Sequence, residues 1–211
     1  MPDVLQKIAT NLYHGDAEPV AELVQDALDA GMAAGEVLNG ALLAGMDEVG
    51  RDFKAGDLFL PEVLIAARAM QAGMGVLRPL LADSDIASSG KYVVGTVEGD
   101  LHDIGKNLVG MMLEGGGFEV IDLGTSVEPS AFVDAVREHK PDLVGMSALL
   151  TTTMPQMKAT IEALEEAGLR DSVKIMIGGA PVTAAFAEEI SADAYAHDAA
   201  RAVDVARWLK G

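Results

Sequence analysis

The chain has 211 residues and no cysteine, which excludes disulfides, iron–sulfur clusters and thiolate zinc sites. Half of its residues are hydrophobic, yet no apolar run is long enough to span a bilayer. The net charge is −18; residues 1–85 carry 5 Lys/Arg against 14 Asp/Glu, a net −9, and residues 86–211 carry the other −9, so neither half is suited to nucleic acid or an anionic membrane.

Residues 1 to about 82 read as helices. Val4, Leu5, Ile8, Ala9 and Leu12 follow the helical period. Gly15-Asp16 breaks the pattern, with Asp16 a candidate N-cap for a second helix carrying Val20, Leu23, Val24, Ala27 and Leu28. After Gly31 and Gly35 a third helix carries Val37, Leu38, Ala41, Leu42, Met46 and Val49. Lys54-Ala55-Gly56-Asp57 interrupts it, and Pro61 suits the first turn of a fourth helix with Val63, Leu64, Ala67, Met70 and Met74. Four helices with short connections imply a bundle over residues 1–85. The small, polar stretch from Ala82 to Gly90 is the expected linker.

Beyond it strands and helices alternate. Strands are expected near 92–97, 118–123, 142–148, 173–178 and 193–196, and helices near 104–115, 129–139, 154–168, 181–190 and 198–209. Five βα units over residues 86–211 imply a parallel sheet covered on both faces, the fold class being α/β. In a flavodoxin-like (Rossmann-like) order, strands 1 and 3 flank the topological switch point, where ligands bind. The start, Met1-Pro2-Asp3-Val4, lacks the pattern of a signal peptide, so a cytoplasmic location is expected.

Gly99-Asp100-Leu101-His102-Asp103-Ile104-Gly105 links the first strand to its helix, and thus places a histidine at that switch point. Asp100 can accept an imidazole N–H, which fixes the tautomer and makes the other ring nitrogen a better metal ligand. Without further context His102 would more readily be a histidine capping a helix start. One histidine cannot hold a metal alone, so a single-histidine site points to a metal already held by a macrocycle. Ser147, Thr151 and Thr153 end or follow the third strand and converge on the same crevice. His197 follows the fifth strand but lacks the Asp-x-His context.

The pattern Asp-x-His-x-x-Gly at 100–105 resembles the cobalamin-binding signature of corrinoid proteins. Its two later parts are present as Ser147-Ala148-Leu149 and Gly178-Gly179, after gaps of 41 and 28 residues. The segment from Val49 to Val63 resembles the helical cap of methyl-carrying corrinoid proteins. Together the two likenesses cover nearly the whole chain. They are similar to the cap and cobalamin modules of cobalamin-dependent methionine synthase, and most of all to the small stand-alone corrinoid proteins of methylamine, methanol, glycine betaine and methoxyaromatic methyltransferase systems.

The resemblance implies a cobalamin or related corrinoid with His102 as the lower axial ligand of cobalt, Asp100 orienting it, and Thr153 completing the hydrogen-bond network. Related proteins usually have a serine at that last position. Threonine keeps the hydroxyl and adds a methyl group; the bare residue pattern allows a helix N-cap there instead. Gly99, Leu101, Asp103 and Gly105 shape the loop, with Gly105 leaving space for the corrinoid's nucleotide tail. Ser147, Leu149, Thr151, Gly178 and Gly179 line the same tail, although Ser147 would also suit a small core position and Gly-Gly a plain turn. Ala199 and its neighbours after the fifth strand close the pocket. Phe53 and Leu60, which composition alone would place in the core, cover the upper face of the corrin.

The implied function is a carrier subunit rather than a complete enzyme. It accepts a methyl group from a donor:corrinoid methyltransferase and delivers it to a second methyltransferase acting on a thiol or tetrahydropterin, with a reductive activase as a third partner. The alternative is a corrinoid-binding regulatory or storage module without methyl transfer. A phosphoacceptor receiver domain is disfavoured, because its aspartate would end the third strand, where this chain has Met146-Ser147.

Overall fold

Among the residues that the computed structural model describes, 2–81 and 89–211, the first stretch is helical and the second alternates strand and helix. They fall into two compact units, residues 1–87 with 115–117 and residues 88–114 with 118–211. Most of the expected linker lies outside the described residues.

The N-terminal unit is built from four helical rods. They are α1 (Pro2–His14), α2 (Ala17–Asp29), a composite third rod over 34–55, and α5 (Leu60–Leu81). Ile8, Leu12, Val20, Val24, Val37, Leu42, Val49, Val63 and Met70 are buried, so the stripes that follow the helical period form the core. Asp16 stands at the N-cap of α2, but its side chain makes no capping hydrogen bond. The third rod departs from a plain α-helix. A short α3 (Ala34–Val37) runs into a π-helical stretch, Leu38–Leu43, and then α4 (Ala44–Ala55). The π stretch still buries Ala41 and Leu42, so the apolar pattern alone does not reveal it. Gly56 ends α4 in the left-handed region at φ 82°. The start of α5 is fixed by Glu62, whose carboxylate accepts the Phe59 N–H at 2.6 Å, one half of a capping box.

The second unit holds a five-stranded parallel sheet in the order β2-β1-β3-β4-β5, the order expected from the sequence. The strands are β1 (Gly90–Thr96), β2 (Phe118–Asp122), β3 (Leu143–Ser147), β4 (Lys174–Gly178) and β5 (Ala194–Tyr195). The helices are α6 (Ile104–Gly115), α7 (Pro129–His139), α8 (Pro155–Glu166), α9 (Ala184–Glu189) and α10 (Ala199–Lys210). Val93, Val97, Val144, Met146, Ile175 and Ile177 pack with Phe132, Val133, Met157, Ile161 and Leu164 of α7 and α8. Tyr92, Val94, Leu143 and Met176, the alternate strand residues, are buried on the opposite face. Burial on both faces explains why these strands are continuous apolar runs.

Two elements fall furthest short of their expected lengths. β5 is a two-residue edge strand, and α9 begins at Ala184 rather than near 181, capped by the Thr183 hydroxyl, which accepts the Phe186 N–H at 3.2 Å. The register pairs Thr96 with Ser147 and Ser147 with Gly178, so the signature's three parts leave the sheet on one edge.

Candidate functional site

Asp100 is the hub of that edge. Its side chain is fully buried, and donors from two loops converge on its two oxygens. Oδ1 lies 2.7 Å from Nδ1 of His102 and accepts the His102 main-chain N–H at 3.1 Å. Oδ2 accepts the N–H groups of Leu149 and Leu150 at 2.8 and 3.2 Å and the hydroxyl of Thr153 at 2.8 Å. The Thr153 oxygen also lies 2.9 Å from the Leu150 carbonyl, but it has one proton, and the carboxylate is the stronger acceptor. Burial alone would raise the pKa of Asp100. Hydrogen bonds from the His102 ring, the Leu149 and His102 amides and Thr153 outweigh it and hold the carboxyl far below the usual range. Asp100 is therefore an anion at neutral pH.

An anionic Asp100 requires a proton on Nδ1 of His102, and this leaves the lone pair of the neutral ring on Nε2. Nε2 has no hydrogen-bond partner among the described residues, and the side chain is half exposed. A buried carboxylate thus presents one imidazole nitrogen outward in a fixed tautomer, the arrangement that orients metal-bound histidines. Thr153 is not the N-cap of α8, a position held by Met154; its hydroxyl turns to Asp100.

The surroundings fit a large, mostly apolar group carrying a metal. Leu101 and Ile104 beside His102 are 74% and 76% exposed, and Leu149 and Leu150 on the facing loop are each 42% exposed. Four large apolar side chains left in the open around one imidazole form a surface suited to a macrocycle. No group of three or more His, Cys, Asp or Glu among the described residues could hold a metal ion, so a metal at His102 must bring its other ligands with it. A Cβ added to Gly105 would meet nothing within 4 Å. Nothing among the described residues crowds that position.

The other signature residues divide by what they touch. Gly99 adopts φ 80° and donates its N–H to the Ser126 hydroxyl at 3.1 Å. Asp103 is exposed and accepts from the Asn107 side chain at 3.2 Å. Ser147 is half buried at the end of β3, and Thr151 is exposed in the loop that follows. Gly179 has φ 133°, and a Cβ there would lie 1.9 Å from the Ala148 carbonyl oxygen; one on Gly178 would lie 3.2 Å from the Ala196 carbonyl oxygen. The need for glycine at 179 thus arises inside the protein, where the β4 loop passes the β3 loop. Ala199 is buried as the first residue of α10, which Asp198 caps by accepting the Arg201 N–H at 2.7 Å. Phe53 and Leu60 belong to the N-terminal unit, Phe53 half buried near the end of α4 and Leu60 36% exposed at the start of α5.

Several contributors escape a sequence reading. The donors at Leu149 and Leu150 are main-chain groups, which no side chain announces. The β2–α7 loop also reaches the site: the Ser126 N–H, from a residue at φ 51°, donates to the Asp100 carbonyl at 2.9 Å. Lys106, in the first turn of α6, is buried and bonds Asp122 at 2.5 Å and the Asn107 side chain at 2.7 Å, tying the helix start to the end of β2.

Residues 90–204 match the family model of the B12 binding domain, and residues 4–78 match a second model, also of a B12 binding domain. A corrinoid protein of Desulfitobacterium hafniense is 42% identical over 99% of this chain and 98% of its own length. Dimethylamine corrinoid protein 1 of Methanosarcina acetivorans is 45% identical over 98% of this chain and 97% of its own. Among solved structures, the methanol:cobalamin methyltransferase complex of Methanosarcina barkeri matches with a TM-score of 0.90 at 32% identity, over 99% of this chain and 80% of that one. A cobalamin-binding protein from Desulfitobacterium hafniense matches with a TM-score of 0.79 at 36% identity, over 98% of both chains. With both units matched to B12 binding domains and full-length likeness to corrinoid proteins, the chain belongs to the corrinoid protein family and takes a cobalamin-type corrinoid as its cofactor.

Proposed function

We propose that this protein is a methyl carrier, with His102 as the lower ligand of a corrinoid cobalt. The observation that carries the ligand assignment is the outward Nε2 of an imidazole whose Nδ1 is held 2.7 Å from a buried carboxylate. A bound corrinoid supplies a cobalt that takes up a methyl group and gives it up again, and the protein supplies ligation, shielding and orientation. Asp100 keeps the ring in the tautomer that ligation needs. Its carboxylate supplies the negative charge that faces the ring. The Thr153 hydroxyl and the Leu149 and Leu150 amides hold the negative charge in place throughout.

The exposed Leu101, Ile104, Leu149 and Leu150 provide apolar contact, and Gly105 leaves room for the nucleotide tail. Gly99, Asp103, Ser147, Thr151, Gly178, Gly179 and Ala199 are assigned to the same binding region by their places on the loops. Phe53 and Leu60 are assigned to the upper face of the corrin through the likeness of the segment 49–63 to helical caps. In this reading residues 1–85 are the cap domain and residues 86–211 the corrinoid-binding domain. The relatives' association with methylamines and methanol supports a donor:corrinoid methyltransferase as first partner. A second methyltransferase acting on a thiol or tetrahydropterin and a reductive activase complete the set. No described helix is long and apolar enough to cross a membrane, and the reading places the carrier in the cytoplasm.

The test is transfer itself. The protein, reconstituted with hydroxocobalamin and reduced, is mixed with methylamine-, methanol-, glycine betaine- and methoxyaromatic-specific methyltransferases and their donors. One of these should methylate it, as read in the visible spectrum, and a thiol or pterin methyltransferase should then remove the group. A protein that holds the corrinoid but accepts a methyl group from none of them is the storage or regulatory module instead.

A further inference from the structure

We infer that Thr96 is a positioning residue for His102, an inference that rests on His102 being the cobalt ligand. Thr96 ends β1 and is fully buried. Its main chain is locked on both sides. The Thr96 N–H donates to the Gly124 carbonyl at 3.0 Å, its carbonyl accepts the Val127 N–H at 2.9 Å, and it stands in register with Ser147 of β3. The one freedom left to it is its side chain, and the hydroxyl donates to the His102 main-chain carbonyl at 2.9 Å. No other group among the described residues donates to that carbonyl, which lies just ahead of the first turn of α6.

The His102 peptide unit is therefore held at two points. Asp100 accepts its N–H, and Thr96 donates to its carbonyl. The first of these comes from the same loop, through a carboxylate that the Leu149, Leu150 and Thr153 donors tie to the loop after β3. The second comes straight from a strand fixed by neighbours on both sides, and it refers the histidine's main chain to the sheet directly. A β-branched residue suits the task, because its χ1 is restricted and the hydroxyl direction is set by the strand. This bond to the main chain and the Asp100 bond to the ring together set where Nε2 stands relative to the sheet edge, on which cobalt ligation depends. Residues that hold a metal ligand from behind tune metal binding in this way.

The experiment compares the wild-type chain with Thr96→Val, Thr96→Ala and Thr96→Ser. Each is reconstituted with cobinamide, a corrinoid without a nucleotide base, reduced to the Co(II) state, and examined by EPR with and without nitrogen-15 histidine. Wild type and Thr96→Ser should show histidine nitrogen splitting on essentially all of the cobalt. In Thr96→Val and Thr96→Ala the histidine-bound fraction should fall at least twofold, while circular dichroism of the corrinoid-free proteins shows the same folded content. If Thr96→Val does not fold, Thr96→Ala decides alone. Full splitting in a folded Val or Ala variant, or the same loss in Thr96→Ser, overturns the positioning role and leaves the ligand assignment standing. Absence of histidine splitting in the wild type overturns both.

Discussion

Replacing Asp100 by alanine should cost about 4 kcal/mol of folding stability at pH 7, among the largest effects of any single substitution in this chain. The side chain is fully buried, and its removal leaves three amides, a hydroxyl and an imidazole N–H without their acceptor. An unpartnered buried donor costs about 1–3 kcal/mol, and the losses overlap because all the donors share one site. Asparagine should recover part of the loss, since its single carbonyl oxygen can serve one side of the network while its NH2 opposes the donors on the other. The difference between wild type and Asp100→Ala also depends on pH. The folded pKa of Asp100 lies below its unfolded value of 3.8, so its contribution is fully present above that value and is lost as pH falls through the folded pKa. Urea denaturation from pH 7 down to pH 2 should show a constant gap above about pH 5 and a narrowing one below about pH 4. A gap that stays constant down to pH 2 would mean that Asp100 is not held as an anion.

Glycine substitutions should separate two residues that the signature treats alike. Gly179→Ala places a Cβ 1.9 Å from the Ala148 carbonyl oxygen at φ 133°, where both the contact and the conformation are unfavourable. The obstacle is main chain, so no rotamer relieves it. The expected cost is about 3 kcal/mol or more in the corrinoid-free protein. Ala148 precedes Leu149 and Leu150, whose amides bind Asp100, so the displaced loop weakens the hub as well. Gly105→Ala enters open space and should leave the melting temperature of the corrinoid-free protein unchanged or slightly raised, since alanine is the better helix former by up to about 1 kcal/mol. Its effect should be on corrinoid retention after gel filtration, which falls if the open space belongs to the nucleotide tail. Equal retention by Gly105→Ala and wild type would remove Gly105 from the binding region.

The sheet was legible in the sequence for a physical reason. In a parallel sheet covered on both faces the strands are continuous apolar runs, and in this chain the intervening helices show the 3.6-residue period. The same holds for the stripes of Ile8, Leu12, Val20 and Val24 in the N-terminal unit. What the sequence could not show are features built from the main chain. The π stretch at Leu38–Leu43 keeps the inward positions of an α-helix. α9 starts late because residues 180–183 turn before the Thr183 cap, and β5 is cut to two residues at the sheet edge. At the site, the Asp-x-His pattern singled out Asp100 and His102, the resemblance to corrinoid proteins added Thr153, and the structure brings the three side chains together. The amides of Leu149 and Leu150 were hidden because any residue carries an amide. Thr96 and Ser126 were hidden because a threonine ending a strand and a serine in a loop are ordinary at those places. Gly179 was legible as a glycine, but its reason, the carbonyl of Ala148, exists only once β3 and β4 are adjacent.

The central claim is that an imidazole of this chain, set by Asp100, ligates the cobalt of the bound corrinoid. The most direct measurement is the EPR spectrum of the Co(II) protein, reconstituted with hydroxocobalamin and desalted, with and without nitrogen-15 histidine. The account predicts nitrogen splitting that changes from triplets to doublets on labelling and disappears in His102→Ala. Cobalt that remains bound with a splitting indifferent to the label would show that the corrinoid is held without a histidine ligand, and the assignment of His102 and Asp100 would be wrong.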